Sequence, residues 1–87
     1  MVYQWTVVST GGTLYPAYRG FVLVKRAESW GNPPVMYPYY VVRRKEAIDE
    51  PLSKRERRFR GWWADVEVRA GAYIDRLIQR QEKENAQ

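Results

Sequence analysis

The sequence predicts an α+β fold: a three-stranded antiparallel meander covered by one long C-terminal α-helix, in β-β-β-α order, within a single domain spanning residues 1–87. Three observations carry this reading. Short runs rich in β-branched and aromatic residues, interrupted by Gly and Pro, fill the first half of the chain. From Ser53 to Lys83 the apolar residues Phe59, Trp63, Val66, Ala70, Tyr73 and Leu77 step by fours and threes, which lines up one stripe on a helix. Eighty-seven residues suffice for one core, and four Trp, seven Tyr and two Phe supply the large side chains that so small a core needs.

The first strand is read over Val2 to Ser9, with Tyr3, Trp5 and Val7 on one face and Val2, Gln4, Thr6 and Val8 on the other. Thr10, Gly11 and Gly12 form a turn, and the residues from Leu14 to Gly20 read as a loop whose two tyrosines either pack on the sheet or face a partner. Phe21 to Glu28 is the second strand, turning charged at its end. Trp30-Gly31-Asn32-Pro33-Pro34 excludes regular structure, because consecutive prolines remove ladder donors and restrict the residues before them. Trp30 is thus either a binding anchor on a rigid loop or a lid folded back over the core. Tyr39 to Lys45 is the third strand, and Glu46 to Leu52 crosses to the helix.

The helix is read as one element from Ser53 to Lys83. Ser53 and Glu56 have capping-box spacing, and Pro51 discourages an earlier start. Gly61 and Gly71 each cost about 1 kcal/mol in a helix interior. Asp65 offers a competing cap for a helix beginning at Val66, which would leave Arg60 to Ala64 as a turn or short strand. Glu82 to Gln87 reads as a frayed end.

Composition narrows the chemistry. Without Cys there are no disulfides, and without Cys or His the common zinc sites and Ser-His or Cys nucleophiles are excluded. Thr10 to Thr13 lacks the Gly-Lys-Ser/Thr ending of a phosphate loop, and Glu46, Asp49 and Glu50 read as a solvated connector rather than a metal site. No enzyme activity, cofactor or metal is expected. The N-terminal MVYQWTVV has neither a signal-peptide n-region nor a membrane-length apolar run, so a cytoplasmic protein without membrane attachment is expected.

A formal charge of +5 favours an acidic partner. Arg43, Arg44, Lys45, Lys54, Arg55, Arg57, Arg58 and Arg60 place more than half of the fifteen cations around the sheet-to-helix crossing. On a continuous helix Arg58, Arg69, Arg76 and Arg80 share one flank with Trp62. Arg43, Arg44 and Lys45 at the end of the third strand, together with Trp30, complete the candidate binding set. The competing reading pairs these arginines with Asp65, Glu67 and Asp75 as an ordinary solvated face.

The segment Phe59-Arg60-Gly61-Trp62-Trp63-Ala64-Asp65, followed by Ala70-Gly71-Ala72-Tyr73-Ile74-Asp75, resembles the sheet-to-helix ending of small phage and prophage proteins, among them inhibitors of the anti-CRISPR type. A second resemblance, through Tyr18-Arg19-Gly20 and Ala72-Tyr73 with Asp75, is to integrase arm-type and plant ethylene-response-factor DNA-binding domains, although the regular strand arginines and tryptophans of the plant version are absent. Both resemblances imply a helix beginning near Asp65. The first implies a non-catalytic, phage-encoded protein that sterically inhibits a host nucleic-acid-handling protein or ribonucleoprotein complex. The second implies direct DNA or RNA binding, with the cations on phosphates. A monomer or a homodimer paired through the helix stripe fits either case.

Overall fold

A computed structural model of the chain describes residues 2–51, 53 and 56–85. Four strands, β1 (Thr6–Thr10), β2 (Thr13–Tyr18), β3 (Phe21–Trp30) and β4 (Val35–Arg44), form an antiparallel sheet in sequential order, followed by a 3-10 turn at Lys45–Ala47 and one helix, α1 (Trp63–Asn85). The α+β class and the single C-terminal helix stand. The strand number and the start of the helix do not.

The additional strand is β2, in the stretch read as a loop. Gly11 and Gly12 both have positive φ, 58° and 81°, so a two-residue turn of the kind that suits right-twisted strands joins β1 to β2 with Thr10 opposite Thr13. Pairing by alternation then turns the backbone of Leu14, Pro16 and Tyr18 toward β3. Tyr18 meets Phe21 there, but Pro16 has no N–H to offer, and β2 and β3 are in register only at Ala17↔Val22 and Tyr18↔Phe21. Beyond that point the β1–β2 hairpin and the β3–β4 hairpin part company.

β3 and β4 pair along their whole length, from Phe21↔Arg44 to Trp30↔Val35, and form an arm that contributes to a molecule 52 Å long and 28 × 27 Å across. The arm contains Pro38, which argues against a strand until its edge is considered. Tyr40 exchanges both backbone hydrogen bonds with Phe59, each 2.8 Å, so Tyr40 points to the outer edge of β4, and Pro38, two residues away, points outward with it. The missing donor costs no bond to β3.

The core lies on both faces of the sheet. On one face Val22, Val24, Tyr39 and Val41 pack with Ala17 and Ile48, the last contributed by the crossing segment. On the other, Leu23, Tyr40 and Val42 meet Phe59 and the α1 residues Val66 and Ala70. Val66, Ala70 and Ile74 are fully buried, and Val66 and Ala70 of the apolar stripe pack with Leu23 and Phe59 within the chain. The N-terminal segment crosses the helix as coil: Trp5 donates its indole N–H to the Glu67 carbonyl at 3.1 Å and packs against Trp63.

The helix begins at Trp63, ten residues later than the capping-box reading and two before Asp65, which lies in its first turn. Glu56 donates its N–H to the Ser53 carbonyl at 3.2 Å, but the Glu56 carboxylate is engaged by Arg43 instead of capping a helix. Lys54, Arg55 and the last residues of the C-terminal end lie outside the described residues. Phe59 has helical spacing from Trp63 and Val66, yet it reaches the same core as a bridge residue on the β4 edge. Gly61, at φ 112°, turns the chain into α1, a conformation closed to other residues without strain.

Candidate functional site

The later helix start divides the single basic flank expected from the sequence. Arg69, Arg76 and Arg80 remain on α1, while Arg58 and Trp62 precede it. Around the Phe59 bridge the chain alternates as a strand does: Phe59 points to the helix, and Arg58 and Arg60 point to the opposite face, over the ring of Tyr39 at 5.0 and 5.7 Å. Both also pair with Glu28, Arg58 at 3.2 Å. Arg69 donates to the Arg60 carbonyl and so staples this segment to α1.

Arg43 is not a surface cation. It is 7% exposed, and its guanidinium pairs with Glu56 at 2.8 Å and Glu50 at 3.7 Å while donating to the carbonyls of Ala47 and Pro51 at 3.2 and 3.1 Å. The five-donor fork of arginine suits this task of holding an irregular crossing against the sheet. Its neighbours Arg44 and Lys45 are exposed, with Arg44 lying over the Phe21 ring at 4.9 Å.

What the structure brings together is a different cluster. Arg57 lies over the rings of Phe59 and Tyr73, at 5.3 and 5.7 Å, on the helix side of the bridge segment. Arg76 and Arg80 come up beside it with Leu77, lining a shallow pocket of about 190 Å³. A second hollow of about 260 Å³ continues along α1 from Arg76 and Arg80 to Lys83. Among the described residues no carboxylate lines either hollow, and none of these four cations has an acidic partner. Asp75, a candidate to neutralise them, is occupied elsewhere: it accepts from the Tyr18 hydroxyl and from Arg19, both at 2.9 Å. Burial first, and then the bond to Asp75, hold the Tyr18 hydroxyl pKa above its ordinary value, while the same carboxylate raises that of Arg19.

Of the four cations, Arg57 and Lys83 lie outside the binding set expected from the sequence, and Arg57 is the one that the helix reading hides. Its signal is the strand alternation about Phe59, which places it two residues away on the same face, and that signal is invisible while the stretch is read as helix.

The aromatic candidates occupy two other places. Trp30 packs on Tyr37 at 4.5 Å between ring centres, at the tip of the arm, where Val35 and Met36 are also half or more exposed. Trp62, at the start of α1, is 83% exposed. It lines a groove of about 430 Å³ with Lys25, Tyr37, Pro38, Tyr40 and Arg60, where the outer edge of β4 faces the segment entering the helix.

Among the described residues no group of three or more His, Cys, Asp or Glu side chains could hold a metal, and no helix is long and apolar enough to cross a membrane. Comparison with known proteins finds no matching family model, no matching curated protein and no matching solved structure.

Proposed function

We propose that this is a non-catalytic nucleic-acid-binding protein that holds phosphates with Arg57, Arg76, Arg80 and Lys83. The observation that carries this is the convergence of four cations, with no carboxylate among the described residues lining the site, on two adjoining hollows of one helix face. Arg76 to Lys83 spans about 10 Å of helix, so its cations can meet successive phosphates of a backbone. Arg57 is held over two rings, which limits the freedom it loses on binding. A gel shift with duplex DNA at low salt tests the reading. The wild type is expected to retard the duplex and the double variant Arg76→Glu/Arg80→Glu to leave it free; retardation by the wild type of neither the duplex nor a single strand of equal length refutes it.

A second reading, a phage-borne steric inhibitor of a host nucleic-acid-handling complex, is favoured by the arm tip. Trp30, Val35, Met36 and Tyr37 expose apolar surface that phosphate binding does not use. On this reading the protein forms a nuclease-resistant complex with such an assembly, and Trp30→Ala weakens it. Recovery of nucleic acid alone contradicts it.

A further inference from the structure

We infer that the groove between the β4 edge and Trp62 takes an unpaired nucleobase, so that single-stranded nucleic acid is the preferred ligand; this rests on the nucleic-acid reading above. At about 430 Å³ the groove falls within the size range of small-ligand sites, about 300–1,000 Å³. Tyr40 and Pro38 of β4 and Lys25 of β3 line one part of it, and Arg60, Gly61 and Trp62 the other.

The Trp62 indole is displayed on a backbone anchored at its C-terminal side. Gly61 before it makes the turn at φ 112°, its own carbonyl accepts the first helical bonds from Asp65 and Val66 at 3.0 Å each, and Trp63 after it is wedged against Trp5 and Tyr40 at 5.9 and 5.8 Å. Of two adjacent tryptophans one is an anchor and the other is 83% exposed, contributing little to the core. Tyr37, 37% exposed, offers a second ring in the same groove.

The charges around the groove select the occupant. Among the described residues no carboxylate lines it. Lys25 has no acidic partner among the described residues, and Arg60 shares Glu28 with Arg58, so two cations face one carboxylate and positive charge remains. Aromatic faces flanked by cations complement a base with its phosphate, and only an unpaired base exposes that face. An extended peptide fits less well, because Pro38 presents no N–H on the outer edge of β4 where an added strand would seek one.

The test is binding of a labelled oligothymidylate and of a duplex of equal length by the wild type, Trp62→Ala and Trp62→Phe. The single strand is expected to bind more tightly than the duplex. Trp62→Ala should weaken single-strand binding about 5- to 140-fold, the equivalent of about 1–3 kcal/mol for one stacked base, with duplex binding unchanged and Trp62→Phe intermediate. If the wild type binds both forms equally, or Trp62→Ala binds the single strand as tightly as the wild type does, this inference is overturned while the nucleic-acid reading stands. If the wild type binds neither form at low salt, both are overturned.

Discussion

Alanine at Gly71 should fail to stabilise this protein, against the ordinary rule for glycine in a helix interior. Gly71 is buried in α1 beneath the ring of Tyr3, and a Cβ there would stand 2.6 Å from both Cγ and Cδ1 and 3.0 Å from Cδ2 of that ring. These atoms include the root of the ring, so bending its far end relieves nothing. The whole side chain must leave the helix, and with it goes the edge contact to Tyr18 at 5.5 Å. Overpacking of this kind costs about 1–3 kcal/mol. The gain in helix propensity returns about 1 kcal/mol. The substitution should therefore be neutral to destabilising by about 2 kcal/mol. In a Tyr3→Ala background the obstacle is gone, and the same Gly71→Ala change should stabilise by about 1 kcal/mol. Urea unfolding of the four members of this double-mutant cycle measures the coupling, expected at about 1–3 kcal/mol. Equal stabilisation by Gly71→Ala in both backgrounds would refute the docking of the N-terminal segment on α1.

The buried guanidinium of Arg43 predicts that Arg43→Ala costs about 3–5 kcal/mol in urea unfolding, since Glu56 loses its buried partner; a surface cation would give weaker ligand binding with little change in stability. The raised pKa of the Tyr18 hydroxyl predicts a pH effect. The folded state keeps a proton that the unfolded state releases above its ordinary value of 10.0, so this stabilisation is complete below that pH and is lost as pH rises through the folded value. Unfolding followed across that range should show the wild type losing stability more steeply than Tyr18→Phe, and identical profiles would contradict the assignment.

Much of the fold is legible in the sequence, and the failures share a cause. The second and third strands of the reading correspond to β3 and β4, and the stripe from Trp63 to Leu77 lies on α1, because each follows its local period. Pro16 and Pro38 concealed strand residues: a proline excludes a strand only where its N–H would be needed, and which edge it faces is set by pairing partners distant in sequence. Phe59 was misplaced for the converse reason. Its distance from Trp63 suits a helix, but its burial is achieved by a bridge to Tyr40, nineteen positions earlier. That error carried Arg58 and Trp62 onto the helix and kept Arg57 out of the cation cluster. The burial of Arg43 was equally hidden, since Glu56 and Glu50 meet it only after the crossing segment turns back on the sheet.

The salt dependence of nucleic-acid binding tests the central claim most directly. With Arg57, Arg76, Arg80 and Lys83 each neutralising a phosphate, the logarithm of the association constant for duplex DNA should fall against the logarithm of salt concentration with a slope of about −3 to −4, measured by fluorescence anisotropy. Removing two of the cations in Arg76→Ala/Arg80→Ala should make that slope shallower by about 2, with stability unchanged within about 0.5 kcal/mol because neither side chain has an acidic partner among the described residues. A slope near zero, or one that the double variant leaves unaltered, would contradict the account.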